Sequence, residues 1–261
     1  MGNAEDLFTA AVNERLRGQA PLAARLRPKN LDEIVGQQHL VAPGAPLRKL
    51  IEADRLSSVI LWGPPGTGKT TLAEVVALTT NRAFERLSAV TSGVKDVREA
   101  IERATDRLGQ HGRSTIVFVD EIHRFSTSQQ DALLPDVENG VVTLVGATTA
   151  NPFFAVNNAL MSRSTVFQFE PLEIDDIQCL LKRALTDTYN GLGRYEVTLT
   201  DEACEYIANI SDGDARRALS ILEIGVLSNT NFPLTFDKQL AVESVQRKSV
   251  HYDPTGDEHY D

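Results

Sequence analysis

Over the first two thirds of the chain, short apolar runs alternate with stretches of helical spacing. The runs are Val59–Trp62, Phe84–Leu87, Thr115–Val119, Val142–Ala147 and Thr165–Phe169. Polar residues do not alternate within them; Ile116-Val117-Phe118-Val119 is apolar throughout. Strands of that kind are covered on both faces, as in a parallel sheet between helices. Thr71–Leu78, Val94–Arg107 and Gln129–Glu138 carry apolar residues at helical spacing between them. The pattern predicts a doubly wound α/β domain over residues 20–170, with a five-stranded parallel sheet sandwiched by helices. Beyond Pro171 the period changes. Asp175–Leu185, Asp201–Ile210, Asp214–Leu227 and Phe236–Arg247 read as four helices with no strand among them, and Thr200-Asp201-Glu202 and Ser211-Asp212-Gly213 offer caps and first-turn acids. This is a small all-helical domain over residues 171–250. Residues 1–19 read as an N-terminal arm, and residues 251–261 as a polar tail without periodicity.

Gly63-Pro64-Pro65-Gly66-Thr67-Gly68-Lys69-Thr70 matches G-x-x-x-x-G-K-[ST] in full. It follows a strand-like run and opens a helix-like one, the setting in which glycine-rich backbone N–H groups curl round an anion at a helix N-terminus. ATP is the expected ligand. Lys69 would reach the β- and γ-phosphates, and the Thr70 hydroxyl would ligate Mg²⁺. About fifty residues on, the run Ile116–Val119 ends in Asp120-Glu121, at the strand edge where open α/β sheets bind ligands. Asp120 is expected in the Mg²⁺ shell and Glu121 as the general base for water. Asp120-Glu121-Ile122-His123 also spells the box of DExH helicases, but those need two tandem RecA-like domains, and this chain turns helical instead. His123 has no partner at metal-ligand spacing.

Composition narrows the partners. A formal charge of −10 is wrong for a protein that grips nucleic acid with its whole surface, so DNA contact would need a local patch; Lys95, Arg98 and Arg124 are the candidates. Apolar runs stop after about five residues, far short of a membrane span. No signal peptide is evident, and Asp6 stands where a myristoylation site wants Ser or Thr. Cys179 and Cys204, isolated in helical segments, read as buried thiols of a reducing cytoplasm. Glu5-Asp6-Leu7-Phe8, in a polar arm, could present Leu and Phe anchors to a sliding clamp, or be disordered or pack locally.

Several segments go beyond generic pattern. Pro21–Pro28 (PLAARLRP), Leu31–Leu40 (LDEIVGQQHL), Trp62 before the phosphate loop, Ser88–Lys95, His123-Arg124-Phe125 with Ser128–Ala132, and Gly146–Pro152 resemble the clamp-loader-like AAA+ ATPases. They narrow to the replication-associated recombination protein A family, with a eukaryotic relative in the Werner-helicase-interacting protein. The resemblance runs from Pro21 to the chain end. It implies Thr149 at the sensor-1 position, with Asn151 as a second candidate. Ser162-Arg163-Ser164 resembles the Ser-Arg-Cys motif, making Arg163 an arginine finger for the next subunit's ATP, with a surface ion pair as the ordinary alternative. Gly213–Leu219 resembles the sensor-2 helix with Arg216 toward the phosphates. Arg27, Pro28, Val35 and Gly36 would line the adenine pocket, though Arg27 also reads as a plain surface charge.

Family members continue into a helical C-terminal region that assembles tetramers, so this chain corresponds to their N-terminal ATPase portion, with 251–261 leading toward that region. The implied activity is Mg²⁺-dependent ATP hydrolysis by a homo-oligomer on fork, gap or duplex-end DNA, in the cytoplasm and off the membrane. A sliding clamp or single-strand-binding protein are the implied protein partners. A clamp-loader subunit or Holliday-junction branch-migration motor would share the same site. A nucleotide-switched scaffold with little turnover is a further alternative, against which the Asp120-Glu121 pair argues.

Overall fold

A computed structural model of the chain describes residues 20–250, so the N-terminal arm with Glu5–Phe8 and the tail 251–261 lie outside the described residues. Two compact units emerge, one of Pro28–Leu172 and the other of the segments up to Arg27 and from Glu173 onward. Residues 20–27, expected with the sheet, cluster instead with the helices. Their one helical turn, α1 (Leu22–Arg25), is held by Glu223. That carboxylate accepts the Leu22 N–H at 3.0 and 2.9 Å and pairs with Arg25 Nη2 at 2.9 Å.

The sheet unit runs α2 (Gln38–Val41), α3 (Pro46–Glu52), β1 (Val59–Trp62), α4 (Lys69–Thr79), β2 (Ala83–Ser88), α5 (Val94–His111), β3 (Thr115–Asp120), α6 (Thr127–Asp131), α7 (Leu134–Glu138), β4 (Val142–Thr148), α8 (Pro152–Ala155), α9 (Asn158–Met161) and β5 (Thr165–Gln168). Its five strands are all parallel, in the order β2-β3-β4-β1-β5. Successive residues of β3 enter different cores. Ile116 and Phe118 pack with Leu61, Leu72, Val75 and Val76, while Val117 and Val119 pack with Ile60, Val97, Ile101 and Leu144. Two buried faces explain why the run carries no polar alternation. Burying each such side chain contributes about 2 kcal/mol, so packing on both faces holds the sheet between its helices. Helix α5 turns Val97, Ala100, Ile101 and Ala104 inward, has Asp96 Oδ2 accepting the Gly93 N–H at 2.6 Å, and ends at Gly112 with φ +61°. The helix expected over Gln129–Glu138 is two short ones, α6 and α7. Pro135, in the first turn of α7, has no N–H for the carbonyl four residues back and its ring crowds that position.

The helical unit continues with α10 (Ile174–Thr186), β6 (Val197–Leu199), α11 (Asp201–Ile210), α12 (Ala215–Leu227), β7 (Leu234–Phe236) and α13 (Lys238–Val250). The four expected helices are present, but the expectation of no strand is corrected: β6 and β7 pair in parallel, from Val197↔Leu234 to Leu199↔Phe236. Three-residue strands are too short to show a period of two. Phe236, expected to begin a helix, is a buried strand residue instead; Asp237 Oδ1 then caps the helix by accepting the Leu240 N–H at 2.9 Å. A Cβ on Gly225 would stand 2.4 Å from the Phe236 ring, so glycine is what lets α12 approach β7. Cys204 is buried in α11, and burial pushes its thiol up, whereas Cys179 is exposed on α10, which corrects the expectation of two buried thiols. Among the described residues no helix is long and apolar enough to cross a membrane.

Glu223→Ala should destabilise the helical unit by about 2–4 kcal/mol, because it strands an arginine and a backbone N–H at a partly buried site. Thermal unfolding by circular dichroism reads this out. A loss below about 0.5 kcal/mol would mean that α1 is held by packing alone.

Candidate nucleotide site

Parallel pairing brings the C-terminal ends of β3, β4 and β1 side by side, and the residues singled out by the phosphate and Asp-Glu motifs follow directly from them. The phosphate loop leaves β1 at Gly63, whose N–H donates to the Thr148 carbonyl at 3.2 Å. Gly63 has φ +155°, and a Cβ there would lie 2.3 Å from the Phe169 carbonyl oxygen, so no other residue fits between β1 and the end of β5. Gly66 and Gly68 are also left-handed, at φ +71° and +100°. These values fold the loop into a backbone concavity ending at the N-terminus of α4. Thr67 Oγ1 closes the turn by donating to the Pro64 carbonyl at 2.9 Å. Lys69 is 8% exposed, and its ammonium donates to the carbonyls of Gly63 at 2.8 Å and Pro64 at 2.6 Å. Thr70, beside it, is buried.

The Asp-Glu turn leaves β3. Asp120 ends the strand, and its Oδ2 pairs with Arg86 Nη2 at 3.0 Å. Glu121 adopts φ +53° and ψ +50°, a left-handed conformation that is costly for a residue with a side chain and concentrates at functional turns. It caps the 3-10 turn Ile122–Arg124, with the Arg124 N–H donating to the Glu121 carbonyl at 2.8 Å. Ile122 is fully buried and pins the turn from below. Room for it comes from Gly146 in β4, where a Cβ would lie 3.1 Å from Ile122 Cδ1 and 2.8 Å from Ile60 Cδ1. Thr149, just past β4, donates to Glu121 Oε2 from its N–H at 3.4 Å and its hydroxyl at 3.3 Å. His123 Nδ1 is 3.2 Å from the same oxygen and 3.0 Å from Thr148 Oγ1.

The other expected residues are placed as follows. Asn151 caps α8, its Oδ1 accepting the Phe153 N–H at 3.0 Å. Arg163 follows α9 and is 40% exposed; it donates to the Ala159 carbonyl at 2.8 Å and pairs with Glu138 at 2.5 Å, so within this chain the surface ion pair is what it makes. Arg216 lies exposed in the first turn of α12, where Asp214 Oδ1 accepts the Arg216 and Arg217 N–H groups at 2.8 and 3.0 Å. Arg27 belongs to the helical unit, and Pro28, Val35 and Gly36 to the sheet unit. Lys95 and Arg98 are exposed on α5, with Lys95 paired to Glu99 at 3.5 Å, and Arg124 is exposed on the 3-10 turn.

Two residues at the site were not anticipated. Gln37, left-handed at φ +55° and buried, donates to the Glu170 carbonyl at 2.7 Å and the Thr67 carbonyl at 3.5 Å, and accepts the Glu170 N–H at 3.1 Å. It joins the Val35-Gly36 turn to the phosphate loop. Its visible signal was a glutamine after glycine in an otherwise apolar-charged segment, which names no partner. Arg86 had none, because a cation on an edge strand reads as surface until β2 is paired with β3.

A glycine-rich cradle at a helix N-terminus, a buried lysine and an Asp-Glu turn on parallel strands define a P-loop NTP-binding domain. The family model described as "ATPase family associated with various cellular activities (AAA)" matches residues 59–172, and that described as "AAA C-terminal domain" matches residues 193–261. The chain belongs to the AAA ATPases and, among them, to the replication-associated recombination protein A family. It is 50% identical over 244 residues to "Replication-associated recombination protein A" of Escherichia coli K12, covering 92% of this chain and 54% of that protein. It is 38% identical over 272 residues to "ATPase WRNIP1" of Dictyostelium discoideum, covering 97% of this chain and 31% of that protein. The chain thus spans about half the length, or less, of these relatives. Among solved structures, the Holliday junction branch migration motor RuvB of Thermotoga maritima matches with a TM-score of 0.68 and 26% identity, over 85% of this chain and 73% of that one.

Proposed function

We propose that this chain is the ATP-hydrolysing part of an oligomeric AAA ATPase that acts on DNA at replication forks and DNA ends. The observation that carries the hydrolytic half is the meeting of the phosphate loop and the Asp120-Glu121 turn through the end of β4. The loop from Gly63 to Thr70 wraps the phosphates, with Lys69 turning from the Gly63 and Pro64 carbonyls to phosphate oxygens. Thr70 and Asp120 offer oxygen donors of the kind Mg²⁺ takes and would hold it, and the metal would supply positive charge to the phosphate oxygens. Glu121 takes a proton from water as the water oxygen bonds to the γ-phosphorus. The bond from that phosphorus to the bridging oxygen breaks, and ADP leaves with the electron pair. Thr149 senses the γ-phosphate, with Arg216 as the sensor of the helical unit. Arg27, Pro28, Val35 and Gly36 contact adenine, and Arg163 serves the ATP of a neighbouring subunit.

The DNA half is supported by the names of the relatives and by the exposed cations Lys95, Arg98 and Arg124, on a chain whose net charge of −10 offers no general affinity for nucleic acid. On this reading the working form is a homo-oligomer, a tetramer in the longer protein, in the cytoplasm, with a sliding clamp or single-strand-binding protein as partner. RuvB-like branch migration is the second reading, favoured by the structural likeness. ATPase stimulation by four-way junctions over gapped or forked duplexes would select it.

Lys69→Ala should abolish ATP binding, whereas Glu121→Gln should bind labelled ATP normally and lose turnover by roughly 10²–10⁴-fold. Normal turnover by Glu121→Gln would remove Glu121 as the base.

Arg163→Ala should bind ATP and lose hydrolysis by about 10³-fold. Mixed with Glu121→Gln, it should regain activity that grows with protein concentration, because some interfaces then pair an intact Glu121 site with an intact Arg163. Mixtures that stay inactive where sedimentation verifies assembly would exclude a finger in trans.

Reversing Lys95 and Arg98 to Glu should flatten DNA stimulation of the ATPase and leave the basal rate alone, and that stimulation should fall steeply with salt in the parent chain. Stimulation that survives the reversal places the DNA patch elsewhere.

A further inference from the structure

Gln37 belongs to neither motif of the site, yet its buried amide ties the Val35-Gly36 turn to the phosphate loop and to the chain just after β5. We propose that Gln37 is a positioning residue that holds this turn at a fixed offset from the phosphate cradle, so that contacts to adenine add to contacts to the phosphates. The inference rests on the reading above in which Val35 and Gly36 contact adenine.

The amide is matched to its partners group by group. Oε1 accepts the Glu170 N–H at 3.1 Å, and Nε2 donates to the Glu170 carbonyl at 2.7 Å and the Thr67 carbonyl at 3.5 Å. Both amide hydrogens are thereby used, and the reversed amide would set donor against donor at Glu170. Gln37 thus does for Glu170 what a neighbouring strand would do, engaging the N–H and the carbonyl of one residue. β5 is the last strand in the sheet order, so its outer edge needs such cover. His39 extends it: Nε2 lies 2.9 Å from the Gln168 carbonyl, which only accepts, so this nitrogen carries the hydrogen.

The backbone at the turn is one that needs outside support. Gly36 and Gln37 are left-handed in succession, at φ +72° and +55°. Glycine adopts this freely, whereas glutamine does so at a cost. The Gln37 carbonyl then opens α2 by accepting the Leu40 and Val41 N–H groups at 2.8 and 3.1 Å. A strained turn keeps one conformation only where its surroundings fix it, and the buried amide supplies that fixing. The phosphate loop has supports of its own, the Gly63 N–H on the Thr148 carbonyl and the Thr67 hydroxyl on the Pro64 carbonyl. Loss of the Gln37 amide therefore loosens the turn and leaves the cradle formed. Ordering the turn would then be charged against the binding of the base, and only of the base.

The test measures equilibrium binding of Mg-ATP and of magnesium tripolyphosphate, which carries phosphates without a base, to the parent, Gln37→Leu and Gln37→Asn. Leucine keeps much of the bulk and loses every bond. Asparagine accepts the left-handed backbone readily, but its amide is one methylene too short for Glu170. Both variants should lose roughly tenfold to a hundredfold in ATP affinity, with tripolyphosphate affinity within about twofold of the parent. KM for ATP should rise in step, with kcat at saturating ATP within a few-fold. Asparagine binding ATP like the parent would show that backbone conformation, not the amide, holds the turn. Equal losses for the two ligands would show that Gln37 supports the cradle instead. Either result overturns the proposal, and if the leucine variant fails to fold, the asparagine variant decides. Photolabelling of the parent with 8-azido-ATP should mark the tryptic peptide 30–48, which holds Val35 and Gly36. Label there with parent-like binding by Gln37→Asn rejects the role of Gln37 alone; label elsewhere rejects the adenine assignment, and the proposal with it.

Discussion

The candidate site depends on the register of one strand. β4 lies between β1 and β3 with both partners parallel, Trp62 facing Thr148 and Val119 facing Gly146. Its last residues therefore serve both neighbours. The Thr148 carbonyl receives the first N–H of the phosphate loop, and the Thr148 and Thr149 side chains reach the turn that follows β3. Strand alternation sends the buried hydroxyl of Thr148 toward His123 and leaves Thr149 exposed beside Glu121. A slip of one residue would exchange them and place Gly146 away from Ile122. The sheet core that fixes this register is thus also what fixes the distance between phosphate cradle and carboxylate.

Charge balance at the site is local. A buried ammonium is costly unless it is hydrogen-bonded, and the carbonyls of Gly63 and Pro64 provide that bonding for Lys69. Both are neutral carbonyl dipoles. Asp120 is treated differently: Arg86 pairs with it while lying over the Phe118 ring at 5.8 Å. The two halves of the site are therefore poised for opposite charges, one presenting N–H groups and an ammonium, the other presenting carboxylates. At physiological salt, charges beyond about 8 Å are largely screened, so the overall excess of acidic residues matters less here than these few neighbours.

Much of this was legible in the sequence, and the pattern of successes has a physical reason. The five strands were visible because burial on both faces removes polar residues from them, and the phosphate loop because glycine adopts the positive φ angles at 63, 66 and 68 without steric cost. Asp120 and Glu121 were singled out by their place at a strand end. What escaped were relations between segments distant in sequence. Gln37 bridges to Thr67 and Glu170, Arg86 pairs across strands, and α1 leaves the sheet unit for Glu223; each is a contact that no local period encodes. The two strands of the helical unit escaped for lack of length, and the break between α6 and α7 was written in Pro135 but outweighed by helical spacing around it.

The arginines separate by how firmly they are held. Arg25 and Arg82 have side chains 10% and 11% exposed and several partners each, including backbone carbonyls, so moving either would strand buried donors. Arg163 is different. It sits 40% exposed, paired with a carboxylate that is 46% exposed, and its Nη1 donates to the Ala159 carbonyl at 2.8 Å and the Ser162 hydroxyl at 2.9 Å, both contacts at the exposed surface. An exposed ion pair of this kind is worth about 0–1 kcal/mol, and Glu138 returns to water without penalty when it is released. A guanidinium meant for another subunit's phosphate must leave its own chain at little cost yet start from a defined place. As the finger proposed above, Arg163 would be oriented by its exposed contacts to Glu138, Ala159 and Ser162 without being held tightly enough to compete with a phosphate group.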